Sequence, residues 1–140
     1  AGGHIHFGLG MLMQDKQGIR SRLTAGPYAE TALVPASPWL DATPPPAPNV
    51  AACMRPATEL AVGLSGSANR LAVWRQQAGR WHFEVRPLPL APLTVAADTT
   101  ALVLSGVDRL GNESRRLMLK PCDSVADERA AALQLMGGAP

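Results

Sequence analysis

The chain has 140 residues, 13 Lys and Arg against 11 Asp and Glu, 46% hydrophobic residues and 4% aromatic ones. That is one domain's worth of polypeptide. A formal charge of +2 with 17% charged residues carries neither the basic footprint of a nucleic-acid binder nor the acidic excess of a solvating tail.

No apolar run approaches the roughly 18 residues of a membrane span, and no charged, apolar, small-residue leader layout opens the chain, so no transmembrane segment is expected. Thirteen glycines and thirteen prolines point to many turns and short elements. The even spread of Leu, Val and Ala keeps the chain out of the disordered class.

In chain order, Gly3-His4-Ile5-His6-Phe7-Gly8 alternates with the period of a short strand, His4 and His6 on one side, Ile5 and Phe7 on the other. Asp15 is placed to cap a helix of about ten residues with Ile19 and Leu23 on one face, ended by Gly26-Pro27. Residues 28 to 40 hold Pro35 and Pro38 and read as an irregular segment packing Leu33, Val34 and Trp39. One strand and one helix cannot bury both their faces, so residues 1–40 call for further elements upstream.

Asp41 to Pro48 contains four prolines in eight residues, which fixes φ, removes amide donors and predicts an extended spacer over residues 41–49. After it the signals are those of an antiparallel β-sandwich over residues 50–122. Leu60, Val62 and Leu64 alternate with Glu59, Ala61 and Gly63; Leu71, Val73 and Arg75 alternate with Ala72, Trp74 and Gln76. Ala78-Gly79 turns the chain into Trp81, Phe83 and Val85, a hairpin. Pro87 to Pro92 is an edge or a crossing loop, because each proline deletes a ladder donor. A strand follows at 93–96, then another through Ala101, Val103, Ser105 and Val107, a turn at 108–112, and a return strand at Leu117 and Leu119. Six or seven strands at such spacing suit a small sandwich. Residues 123–140, with Val125, Ala132, Leu133 and Met136, read as an amphipathic helix or a frayed tail.

Val107-Asp108-Arg109-Leu110-Gly111-Asn112-Glu113-Ser114 resembles the turn between the last two strands of fibronectin type III domains, and Pro46-Ala47-Pro48-Asn49-Val50 and Val73-Trp74-Arg75 fit the same type. Gly and Asn tolerate positive φ there, and Asp accepts from nearby amides. This resemblance covers about residues 46 to 120. It implies that Cys53, near the first strand, and Cys122, past the last, lie where they approach one another; a disulfide and two free thiols both stay open, since geometry decides. With no third cysteine, zinc has no support.

Gly3 to Phe7, Gly10 to Asp15, Leu23 to Ala29 and the segment Ala32-Leu33-Val34-Pro35-Ala36-Ser37-Pro38-Trp39-Leu40 resemble the tail of the bacterial glycosyl-hydrolase-like family-10 barrel proteins. That resemblance implies the last strand and helix of a (β/α)8 barrel over residues 1–40, with the fibronectin-like sandwich as an accessory domain. It further implies an exported parent enzyme, periplasmic or bound to the cell envelope, that cleaves polysaccharide. The expected partner is the upstream barrel of the same polypeptide; no cofactor is implied.

Glycoside hydrolysis needs two carboxyl groups roughly 5 to 9.5 Å apart. The acids here are scattered: Asp15 reads as a cap, Asp41 as a spacer residue, Glu84 as a solvent-facing strand residue and Asp108 as a turn residue. No catalytic residue is expected within the chain. His4 and His6 lie at the end of a would-be barrel strand, where side chains face the active site, and are the candidate substrate-binding pair. A His-x-His metal site and a purely structural role are the alternatives, the metal lacking further ligands, since His82 is in the sandwich. Trp74 and Trp81 are candidates for stacking on sugars, against the commoner role of filling the sandwich core or packing across strands. Arg109, Arg115 and Arg116 read as an ordinary solvated basic spot.

Overall fold

The computed structural model describes residues 8–29 and 31–123, and its contacts divide the chain into two units, residues 1–31 and 32–140. His4 and His6, the strand expected around them and the amphipathic tail lie outside the described residues.

In the first unit, helix α1 (Leu9–Met13) is followed by a 3-10 turn (Lys16–Gly18) and helix α2 (Ile19–Ala25). Asp15 is not the residue that precedes α2; Gly18 is, with φ 69°. The Asp15 carboxylate nevertheless reaches forward: the Ser21 amide donates to its Oδ1 at 3.1 Å and the Ser21 hydroxyl to its Oδ2. It thereby satisfies one of the amides that a helix start leaves without a partner. These two bonds hold the Asp15 carboxyl below its ordinary pKa. The helix stops at Gly26-Pro27 as expected, after seven residues. No residue of α1, the turn or α2 is buried, and Leu9 and Met13 are 69% and 70% exposed.

The second unit is mainly β and has two antiparallel sheets. Strands β1 (Thr58–Leu60) and β4 (Leu93–Val95) form one; β2 (Arg70–Gln77), β3 (Arg80–Pro87), β5 (Thr99–Val107) and β6 (Leu117–Leu119) form the other, in the order β3-β2-β5-β6. This is a β-sandwich. Both residues of the Ala78-Gly79 turn take positive φ, 47° and 76°, the twist that a two-residue hairpin requires. Residues 88–92 carry the chain from one sheet to the other.

The expected strand from Leu60 to Leu64 ends at Leu60. Beyond it, Gly63 and Asn49 exchange both amide bonds at 2.8 Å, with Val62 and Leu64 half-buried against the core. The core lies between the sheets. Leu71 and Val73 of β2, Leu102 and Leu104 of β5 and Leu119 of β6 face Leu60, Leu93 and Val95, with Met54 filling between. Strand alternation therefore puts Trp74 on the far side of the large sheet, since it falls between Val73 and Arg75. Trp74 does not fill the core. It packs across strands, its ring 4.9 Å from that of Phe83.

Two further differences concern the segments before β1. Residues 41–49 are no free spacer: Pro45 and Pro48 are buried. The strip seats on two glycines, because a Cβ at Gly66 would come within 2.8 Å of Pro46 Cδ and one at Gly106 within 3.4 Å of the Pro46 carbonyl. Residues 32–40 are irregular, as expected, but Val34 and Trp39 are 67% and 78% exposed, not packed. A disulfide joins Cys53 to Cys122, with Cα atoms 5.2 Å apart. Beside it the Met54 amide donates to the Lys120 carbonyl and the Cys122 amide to the Met54 carbonyl, both at 3.0 Å. Bond and bridge tie the strand-like entry of the sandwich to its exit.

Candidate functional site

Two surfaces of the sandwich combine accessible aromatic, charged or polar groups. The first is the outer face of the large sheet. The register aligns Phe83, Trp74, Val103 and Met118 across its four strands, with Trp81 opposite Gln76 in the next row. Trp81 is 43% exposed and Met118 61%. The Arg116 guanidinium lies over the Trp74 ring, 4.3 Å from its centroid, a cation–π placement. Glu113 holds it there, bonded at one edge to Arg116 and accepting from the Ser105 hydroxyl at 2.8 Å. Bonding to Arg116 lowers the Glu113 pKa, against the opposing pull of partial burial. Arg116 is therefore not part of a loose basic spot; it is the lid of a ring.

The second surface is the end of the sandwich at the turn between β5 and β6. Asp108 is buried, and its Oδ1 accepts from the amides of Leu110 (2.8 Å) and Asn112 (2.9 Å) while Oδ2 accepts from Asn112 Nδ2 (2.9 Å). Burial pushes its pKa up, but the side-chain and backbone bonds from Asn112 and the amides of Leu110 and Gly111 outweigh it and leave the pKa lowered. The charge is satisfied by its own loop. That loop grips the irregular segment before the sandwich: the Ser37 amide donates to the Leu110 carbonyl at 3.0 Å and Asn112 Nδ2 to the Asp41 carbonyl at 3.0 Å. Gly111, with φ 84°, lies so close beneath that a Cβ would meet the Val34 carbonyl oxygen at 2.8 Å.

Where these pieces meet, a cleft of about 710 Å³ opens, walled by Leu40 and Asp41, by Ser67 and Asn69 before β2, and by Asp108, Arg109 and Leu110. Asp41 accepts the Thr43 amide at 2.8 Å. Bonds from the Thr43 backbone and hydroxyl lower its pKa, with the charge of Asp108 acting the other way. Asn69 Oδ1 is buried and has no hydrogen-bond partner among the described residues.

The carboxylates themselves hold structure together. Asp15 bonds Ser21, Asp41 bonds Thr43, Glu84 pairs with Arg75, Asp98 accepts from Gln77, Asp108 closes its loop and Glu113 holds Arg116. Glu84 is thus an ion-pair partner as well as a strand residue near solvent. Among the described residues no three of His, Cys, Asp and Glu converge to hold a metal ion, and no helix is long and apolar enough to cross a membrane. No local pattern in the sequence marks Ser67, Asn69 or the pairing of Arg116 with Glu113. For Trp74 the signal was there, because its parity opposes that of Leu71 and Val73. No family model, curated protein or solved structure matches the chain.

Proposed function

We propose that the sandwich is a non-catalytic accessory domain of the fibronectin type III kind, carried behind the last strand and helix of a barrel in an exported bacterial glycoside hydrolase that acts on polysaccharide. The observation that carries this reading is where apolar surface is left uncovered. Leu9 and Met13, and then Val34, Trp39 and Leu40, are each at least two-thirds exposed, and all precede the sandwich, in the residues that resemble a barrel tail. In each unit, apolar side chains left uncovered in this way mark a surface made for a partner, and the partner proposed is the upstream barrel of the same polypeptide. The order β3-β2-β5-β6 facing β1-β4 agrees with the fibronectin-like resemblance. The Cys53–Cys122 bond accords with export to an oxidising compartment.

His4 and His6 would line the sugar pocket only within that intact barrel. The test is turnover of aryl glycosides and polysaccharides by residues 1–140 and by the polypeptide extended upstream. We expect none from the first and hydrolysis from the second. Turnover by residues 1–140 alone would refute the division of labour.

A second reading, a carbohydrate-binding module with no enzymatic role, is favoured by the exposed ring of Trp81 beside Gln76 on the outer sheet face. It requires saturable oligosaccharide binding that Trp81→Ala abolishes; a flat titration removes it. A spacer that only positions the barrel requires neither signal.

A further inference from the structure

The cleft at the end of the sandwich shares only Leu40 with the apolar residues assigned above to the barrel, and its polar wall has no part in that role. We propose that it binds a neutral polyhydroxylated ligand, a terminal sugar unit of a polysaccharide chain, an inference that rests on the reading of the domain as part of a polysaccharide-acting enzyme.

Charge selects the ligand class. Asp41 is exposed on this wall and its pKa is lowered, so its charge opposes an anion, while Asp108 is buried with its oxygens taken by its own loop. Arg109 on the same wall opposes a cation. A hydroxyl carries no charge and both donates and accepts, so it suits a carboxylate, a guanidinium and the Ser67 hydroxyl alike.

Shape agrees with charge. Leu40 and Leu110 supply apolar wall, which matches the C–H face of a pyranose. A cleft of about 710 Å³ falls within the roughly 300–1,000 Å³ of small-ligand sites. The walls are also fixed in advance. Asp108 and Asn112 brace the loop through four hydrogen bonds of 2.8–3.0 Å, one of them to the Asp41 carbonyl, so little ordering opposes binding.

The test is an amide chemical-shift titration of the 140-residue chain with cellotriose, maltotriose and triacetylchitotriose, to millimolar concentrations. We expect saturable shifts with at least one of them, centred on the amides of Leu40, Asn69, Arg109 and Leu110. Asp41→Ala and Arg109→Ala, both exposed side chains whose loss leaves the loop bonds intact, should weaken binding by about tenfold or more, and Trp81→Ala should leave it unchanged. The proposal falls if none of the three sugars gives saturable shifts, if the shifts centre on Trp81 and vanish in Trp81→Ala, or if Asp41→Ala and Arg109→Ala both bind as tightly as the parent. Turnover by the upstream-extended polypeptide is a separate measurement: it tests the accessory-domain reading and does not depend on this cleft.

Discussion

Removing the bond between Cys53 and Cys122 tests how the sandwich is held shut. The two residues are 69 apart in sequence. In the chain-entropy treatment a closed loop of that size removes about 4 kcal/mol of freedom from the unfolded chain, and the bond stabilises the native state by that amount. The native side changes little, because the two backbone bonds between Met54 and residues 120 and 122 do not depend on the sulfurs. At roughly 4–8 °C per kcal/mol for a domain of this size, the melting temperature should fall by about 15–30 °C. The assay is urea and thermal unfolding, followed by circular dichroism, of the oxidised chain, the chain reduced with a phosphine and the Cys53→Ala/Cys122→Ala double variant. Reduction leaves side-chain volume unchanged, whereas the double variant also removes the Cys53 contact with the core, so the variant should lose slightly more. The urea slope should rise in both, since an unlinked chain exposes more surface on unfolding. A loss below about 1 kcal/mol in both forms would refute the entropic argument.

The remaining expectations concern the loop, the core and acid. Gly111→Ala should cost more than Gly79→Ala in chemical denaturation: both sit at positive φ, which by itself costs about 1–2 kcal/mol, but only at Gly111 would the new Cβ strike backbone, whereas nothing lies within 4 Å of Gly79. Equal losses would show that the contact with residues 34–36 carries no weight. Leu104→Ala, at a fully buried position between the sheets, should lose about 2–5 kcal/mol in the same assay. Asp108 and Glu113 have folded pKa values below their ordinary 3.8 and 4.5, so the unfolded chain binds more protons and stability rises with pH through this range. Their contribution is full above about pH 4.5 and is lost as pH falls through the lower, folded values. Urea midpoints at pH 3 should therefore lie below those at pH 6, with a smaller gap in Asp108→Asn and Glu113→Gln; an undiminished gap would assign the acid sensitivity elsewhere.

Much of the sandwich is legible residue by residue. The hairpin of β2 and β3 follows from two alternating runs around Ala78-Gly79, and the last two strands follow from the runs on either side of the Asp108 to Asn112 turn. Alternation also shows that Trp74 sits opposite Leu71 and Val73. Side-chain volume argues the other way, toward the core, and here parity wins because a one-residue slip would expose Leu71, Val73 and their partners together. The short β1 is harder to read: Leu60, Val62 and Leu64 alternate well, yet beyond Leu60 the pairing passes to Asn49, a residue from the proline-dense strip. In that strip φ restriction predicts extension but says nothing of the two glycines on which it rests.

What the sequence determines alone is what depends on near neighbours: where strands start and stop, which side chains share a face, which turns need Gly or Asn. Tertiary structure decides what depends on distant segments meeting. The ring of Trp74 beneath Arg116, the Cys53–Cys122 bond and the cleft built from residues 40–41, 67–69 and 108–110 each join parts of the chain separated by tens of residues. Their meeting is set by sheet order and register, which follow from burying one common core and not from any local preference.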